Sequence, residues 1–163
     1  MKPTEIIVKF GADVTDISVL SSGKVIYSRA FRVAANEMDE VITQYIKSEH
    51  QLLINKETAI TVRKQIGSAL PINESLSANI DGYDLATGAQ RSVTITNKEV
   101  SAALSDCVLS INNAVCTAVS RSFLKVSDDS SIKKVTLIGD SILRRMAESL
   151  SMAIKLPISV RDN

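Results

Sequence analysis

Residues 6–20 read IIVKFGADVTDISVL, which is two apolar, β-branched runs separated by a glycine turn. Each run has the length of a strand, and the glycine ends the first of them. Residues 21–24 read SSGK and supply turn residues before a third strand-like run that continues to Val33. The sequence therefore predicts a three-stranded meander at the start of the chain, with a hairpin between its second and third strands.

A tight turn at Gly11 leaves backbone N–H groups pointing outward, and such a nest can hold a phosphate. A second glycine, Gly139, follows the apolar run 134–138. Two interpretations are open for both glycines. Either they cradle a nucleotide, or they end strands in a fold that needs tight turns and bind no ligand.

Composition limits the possible partners. The 163 residues are 45% hydrophobic, and 19 basic residues nearly balance 18 acidic ones. A chain of this size buries about two thirds of its unfolded surface. The balanced charge argues against nucleic acid as a partner. No signal peptide is recognisable and no apolar run reaches the roughly 18 residues that span a bilayer, so we expect a cytoplasmic protein without direct membrane insertion.

Helical periodicity marks four further segments, at 37–48, 56–66, 98–121 and 141–153. The first begins after Asn36 with Glu37, Asp39 and Glu40 in its first turn. The third begins at Thr96-Asn97-Lys98-Glu99, which fits a capping box. The fourth is expected to be capped by Asp140 or Ser141.

The element order predicts an α/β fold in which a mixed sheet is flanked by helices. Strands are expected at 5–10, 15–21, 24–33, 134–138 and 157–160. Residues 50–96 differ in composition from the rest of the chain and are predicted to form a small inserted α+β lobe with one helix and a short antiparallel pair of strands. The chain then divides into 1–49 with 97–163, and 50–96.

Three stretches carry a resemblance to a known family. Residues 28–42 read SRAFRVAANEMDEVI, residues 65–71 read QIGSALP, and residues 82–88 read GYDLATG. In order, spacing and wording they resemble the second domain of the bacterial actin homologue MreB family, within the actin, sugar kinase and heat-shock chaperone superfamily. The resemblance covers about 6–160 and implies an RNase H-like subdomain that bears a small inserted subdomain.

The nucleotide motifs of that family are degraded in this chain. Its phosphate turn, Asp-Ile-Gly-Gly-Gly-Thr-Thr-Glu, falls on residues 9–16, where Lys9 replaces the acidic residue and Asp13 brings a carboxylate towards phosphate oxygens. Its Glu-x-x-Lys falls on 60–63 and keeps only Arg63. Its second glycine turn falls on 138–141 and is one residue shorter. The resemblance implies a degenerate nucleotide site built from Gly11, Ala12, Asp13, Thr15, Arg63, Gly139 and Asp140.

Metal binding and cysteine or histidine chemistry have less support in the sequence. Asp13, Asp16, Glu37 and Asp39 could hold a metal as in RNase H-like nucleases, but turn and helix-start preferences explain most of them. His50, the only histidine, is expected in a solvated loop without a second ligand. Cys107 and Cys116 match neither a zinc knuckle nor a redox pair, and we expect both to be reduced. No catalytic residue, metal or cofactor is predicted.

The function predicted from these residues is a non-catalytic, actin-like cytoskeletal or scaffold module that is not an enzyme. It would act through protein partners, either itself or a full-length actin homologue, by association or filament modulation. The alternative is half of an ATP-dependent polymerising ATPase that another chain completes. The family's first domain has no counterpart here, and the eroded motifs favour a chain that has kept one domain over an excised working one.

Overall fold

A five-stranded mixed sheet is the centre of the computed structural model, which describes residues 4–122, 132–139 and 142–161. Its strands are β1 (Thr4–Phe10), β2 (Thr15–Ser21), β3 (Lys24–Phe31), β7 (Ile132–Ile138) and β8 (Ile158–Arg161). They lie in the order β3-β2-β1-β7-β8. The first three pair antiparallel, whereas β1–β7 and β7–β8 pair parallel. The predicted meander and the α/β fold class are confirmed.

The helices are α1 (Ala35–His50), α2 (Lys56–Ile66), α3 (Asn97–Ser122) and α4 (Met146–Ile154). Alternation along β1 directs Ile6, Val8 and Phe10 into the core, at 0–4% exposure. The helical period of α3 directs Leu104, Ile111 and Val115 into the same core, each fully buried. Because the sheet and the longest helix bury these faces against each other, the core is one continuous cluster.

Local chemistry explains several element ends. Ser22 and Gly23 both have positive φ, at 54° and 80°, which is the geometry of a tight hairpin turn between β2 and β3. At the start of α3 the Glu99 amide donates to Thr96 Oγ1 at 3.3 Å, and the Thr96 amide donates to Glu99 Oε2 at 2.9 Å. The predicted hairpin and capping box are therefore present.

The predicted lobe contains a second sheet. Strands β4 (Leu52–Leu53), β5 (Ser77–Asp84) and β6 (Gln90–Thr96) pair antiparallel in the order β4-β5-β6. Strand β4 was not predicted, because two residues are too short for a strand pattern in the sequence. No described strand belongs to both sheets, and the division of the chain at 49 and 97 stays a prediction.

His50, the only histidine in the sequence, links the end of α1 to the start of α3, where the chain enters and leaves the predicted lobe. His50 is the last residue of α1, and its Nε2 lies 2.7 Å from Glu99 Oε1. The Tyr45 hydroxyl donates to the same carboxylate oxygen at 3.2 Å. The prediction that His50 is a solvated loop residue is wrong, because α1 runs two residues further than its apolar pattern and brings the ring against α3.

The start of α4 also differs from the prediction. The helix begins at Met146 instead of residue 141, and its N-cap is Arg145 at φ 59° without a side-chain cap. Asp140 and Ser141 lie outside the described residues. Residues 142–145 form a connection that pairs with the segment after α2, and this tertiary contact replaces the first predicted turn of helix.

One described helix, Asn97–Arg121, is long and apolar enough to cross a membrane by length and composition. Of its apolar side chains, Leu104, Ile111 and Val115 are buried in the core, whereas Leu109 is 56% exposed.

Replacing Leu104 with Ala is expected to lower the free energy of unfolding by about 2–5 kcal/mol, because the change leaves a cavity beneath the sheet. Urea denaturation measures this. Leu109, on the same helix but 56% exposed, is the matched control, and its change to Ala should cost less than about 0.5 kcal/mol. Equal losses in both variants would contradict the assignment of the buried face of α3.

A second prediction concerns acid stability. Burial raises the pKa of Glu99, but hydrogen bonds from the Thr96 amide and from His50 outweigh burial and hold this pKa below its ordinary 4.5. The Glu99 carboxylate therefore takes up a proton more readily in the unfolded chain than in the folded one. Ionised Glu99 adds to the free energy of unfolding above pH 4.5, and this contribution is lost as the pH falls through the folded pKa. In acid titrations followed by circular dichroism, Glu99→Gln should flatten this loss. The exposed Glu57→Gln should retain the wild-type profile.

Candidate functional site

The turn between β1 and β2 is held against the start of α1. Its Gly11 amide donates to the Val14 carbonyl at 3.0 Å, and a Cβ on Gly11 would lie 2.7 Å from that oxygen. The Ala35 and Asn36 amides donate to the Gly11 and Ala12 carbonyls at 3.2 and 2.8 Å. The turn thus satisfies amides at the helix start that a bound anion could otherwise use.

Asp13 is exposed at the tip of this turn, and its Oδ1 accepts a hydrogen bond from the Asn36 side chain. The amide therefore keeps the carboxylate close to the helix start. A phosphate placed at this turn would meet a negative charge at short range, which disfavours its binding.

The second glycine turn lies beside the first. Because β1 and β7 are parallel neighbours, their C-terminal ends leave the same edge of the sheet. Gly139 has φ 134°, and a Cβ there would approach the Phe10 carbonyl to 2.5 Å, so this position requires glycine on packing grounds alone. The structure therefore brings Gly11, Ala12, Asp13 and Gly139 together, while Asp140 lies outside the described residues.

A cavity of about 330 Å³ opens next to Gly139. Arg145 is the one basic side chain among its lining residues, and it is paired with Glu148 at 2.8 Å. The remaining lining is mainly apolar, contributed by Ile142, Leu143, Met146, Ala147 and Val160. Such a lining offers little to a phosphate.

Thr15 and Arg63 are engaged by the chain itself. Thr15 is fully buried, and its hydroxyl donates to the Val33 carbonyl at 2.8 Å. Arg63 is 6% exposed, and its Nε donates to Asp39 Oδ1 at 2.6 Å. Both charged side chains of this pair are buried, so each compensates the desolvation of the other.

Asp39 lies about one helical turn from Asn36, so the buried pair sits close to the β1–β2 turn. The interpretation of Asp39 as a favourable first-turn charge is wrong, because the side chain is buried against Arg63. A signal existed in the sequence: Asp39 follows Met38 and precedes Ile42 by three residues, which places it on the buried side of α1. The pattern could not reveal its partner on α2.

Further hydrogen bonds cross between the lobe and the connection before α4. The Ala69 amide donates to the Arg144 carbonyl at 2.8 Å, and Arg144 Nη1 donates to the Gln65 carbonyl at 2.6 Å. The Arg145 side chain donates to the Pro71 carbonyl. Hydrogen bonds from backbone groups and from two arginines thus join residues 65–71 of the lobe to the connection before α4.

Metal chemistry finds little support in the described part of the chain. No three of its His, Cys, Asp and Glu side chains are grouped closely enough to hold an ion. Burial, together with Glu37 and Asp106, raises the pKa of the Cys107 thiol to about 11, so this thiol stays protonated at neutral pH.

A family profile and two curated relatives match most of this chain. The profile of the family described as MreB/Mbl protein matches residues 2–163. The cell shape-determining protein Mbl of Bacillus subtilis strain 168 is 30% identical over 158 residues, 96% of this chain and 47% of Mbl. The cell shape-determining protein MreB of Escherichia coli K12 is also 30% identical, over 96% of this chain and 46% of that protein. The chain spans about half the length of these relatives.

Solved structures agree on the fold. MreB5 of Spiroplasma citri bound to ADP superposes with a TM-score of 0.86 at 25% identity, over 97% of this chain and 48% of that one. The MamK double helical filament gives a TM-score of 0.75 at 19% identity, over 98% and 50% of the two chains, which supports the actin-like fold alone.

Breaking the buried pair is expected to be costly. Arg63→Met should lower the free energy of unfolding by about 3–5 kcal/mol, because it leaves the Asp39 carboxylate buried without its partner. The double variant Asp39→Leu/Arg63→Met should recover most of the loss, since no charge then remains in the interior. Chemical denaturation of both variants measures the coupling, and additive losses would contradict a direct pair.

Proposed function

The chain belongs to the MreB/Mbl family of bacterial, actin-like cell-shape proteins, and from this we propose that it is a non-catalytic cytoskeletal module that acts by protein association. It would associate with itself or with a full-length actin homologue in the cytoplasm, and would neither bind nucleic acid nor insert directly into a membrane. It would not be an enzyme and would need no cofactor.

One observation carries the non-catalytic part of the proposal. Thr15 and Arg63, the two polar side chains that match the family's nucleotide residues, bond to the chain's own Val33 carbonyl and Asp39 carboxylate. An arginine that turned towards a nucleotide would leave a buried carboxylate without its partner. Binding would therefore have to compensate for a loss inside the protein.

The charges at the β1–β2 turn also argue against nucleotide binding. Phosphoryl transfer depends on positioning and on stabilising the charge of metal-bound phosphates. The turn presents the Asp13 carboxylate, and Lys9 stands where the family has its metal-orienting acid. Lys9 is exposed on the sheet and its Cα partner is Asp16, so it is directed away from the core. Both changes oppose binding of magnesium and phosphate.

The alternative is an ATP-dependent polymerising protein completed by another chain. The similarity to Spiroplasma citri MreB5, which was solved with ADP and with AMPPNP, favours it. Under this alternative a nucleotide would replace Asp39 as the partner of Arg63. The second chain would supply the nucleotide-binding groups that this chain lacks.

Titration with ATP and magnesium separates the two. Under the proposal the melting temperature stays unchanged and no phosphate is released, because a ligand raises stability only when it binds the native state. The triple variant Lys9→Asp/Ala12→Gly/Asp13→Gly serves as the matched comparison. It should regain measurable affinity without turnover. A steady phosphate release from the wild-type protein that Thr15→Ala abolishes would establish the ATPase alternative instead.

A further inference from the structure

Strand β4 covers only a small part of one edge of β5. Its two residues pair with Asp84 and Tyr83, and the chain then turns into α2. In the described part of the chain, no strand therefore pairs with residues 77–82 on this side, although β6 pairs with them on the other. Residues 77–82 read SANIDG and contain neither lysine nor proline, the residues that commonly protect an exposed edge.

Backbone groups at this open edge are free to pair with a further strand. The Leu85 amide, just after β5, donates to the Gln51 carbonyl, just before β4. Because backbone direction alternates along an antiparallel strand, the N–H and C=O groups of Asp81 and Asn79 point to the same side as those of Leu85. No described strand meets them there. Each of the two residues thus offers one donor and one acceptor.

A groove of about 290 Å³ follows the open edge, and we call it the edge groove. Residues from both faces of β5 line it, which places the groove at the edge of the strand. Ala78 and Ile80 come from the more buried face, and Asn79 and Asp81 come from the exposed face. The opposite wall is formed by residues near the start and middle of α2, namely Asn55, Glu57, Thr58, Thr61, Val62 and Gln65. An extended chain in this groove would lie beside β5, in line with β4.

The edge groove is acidic. Its described lining includes the exposed Glu57 and Asp81 but neither lysine nor arginine. The Ser92 hydroxyl donates to Asp81 Oδ1, and this neutral partner leaves the negative charge in place. Since like charges repel and opposite charges attract at short range, the groove favours a positively charged occupant.

Basic side chains of the surrounding elements do not cancel this charge. Lys56 and Lys64 of α2 are exposed but are not among the lining residues of the edge groove. Arg91 lines an adjoining cavity of about 510 Å³, where it pairs with Asp84 at 3.0 Å. The edge groove therefore keeps its acidic character.

We propose that the edge groove binds an extended segment of a partner protein by strand addition, and that basic and apolar residues alternate along this segment. The site goes beyond the association with actin-like chains proposed above and does not depend on it. Main-chain hydrogen bonds supply affinity in this mode of recognition, and alternate side chains supply specificity.

The register of β5 assigns each side chain of the bound segment. In the antiparallel sense of β4, the residue opposite Asp81 turns its N–H and C=O towards β5 and its side chain to the exposed face. A lysine or arginine there forms a cross-strand pair with Asp81. The next residue, opposite Ile80, turns its N–H away and its side chain towards the buried face. Ile80 and Val62 favour a small apolar side chain at that position.

A fluorescent peptide of alternating valine and lysine, about seven residues long, tests strand addition in anisotropy titrations with the full chain. It should bind saturably with a dissociation constant below about 1 mM. Methylation of the lysine backbone nitrogens removes the donors that face β5 and should abolish binding. Methylation of the valine backbone nitrogens should preserve it, because these point away from β5. The same peptide with glutamate in place of lysine should not bind.

Variants of the protein test the same geometry from the other side. Asn79→Pro removes an N–H at the open edge, a position where proline is compatible with a strand, and should abolish peptide binding. Asp81→Lys should weaken binding by about three- to tenfold, because an attractive pair becomes a repulsive one. Asp106→Lys, the same charge change at an exposed position of α3, is the matched control and should bind as the wild type does. Melting curves establish that the variants are folded.

Three outcomes would overturn the proposal. The first is the absence of saturable binding by the valine–lysine peptide below about 1 mM. The second is equal binding of the two methylated peptides, which shows contact without strand addition. The third is self-association of the chain that Asn79→Pro abolishes, which identifies a second copy, instead of a partner segment, as the occupant of the edge groove.

Discussion

Parallel pairing of β1 with β7 is the constraint on which the rest of the structure depends. Parallel neighbours cannot be joined by a hairpin, so the chain between them must cross one face of the sheet. That crossing contains α1, the segment with α2 and the three-stranded second sheet, and α3, and it covers the side of the meander that carries Ile6 and Val8. It also brings the turns at Gly11 and Gly139 to one edge. Core and candidate site thus follow from the same pairing.

At that edge the protein satisfies its own polar groups. Amides at the start of α1 donate to the turn carbonyls, the Thr15 hydroxyl donates to Val33, and Asp39 neutralises Arg63. In an interior of low dielectric constant, such groups either bind one another or bind a ligand, because leaving them unpaired is costly. In this structure the polar groups at that edge stabilise the fold itself. The same pair joins α2 of the lobe to α1.

Local pattern and chemistry determined most of the fold. The meander, the hairpin at Gly23, the capping box at Thr96 and the buried stripe of α3 follow from periodicity and turn preferences, which act over a few residues. Only the tertiary structure decided the rest. The two-residue β4, the late start of α4, the contact of His50 with Glu99 and the pairing of Asp39 with Arg63 all depend on residues distant in sequence. The same holds for the candidate site: its glycines were recognisable in the sequence, but the partners of Thr15 and Arg63 were set by packing between elements, which no local pattern encodes.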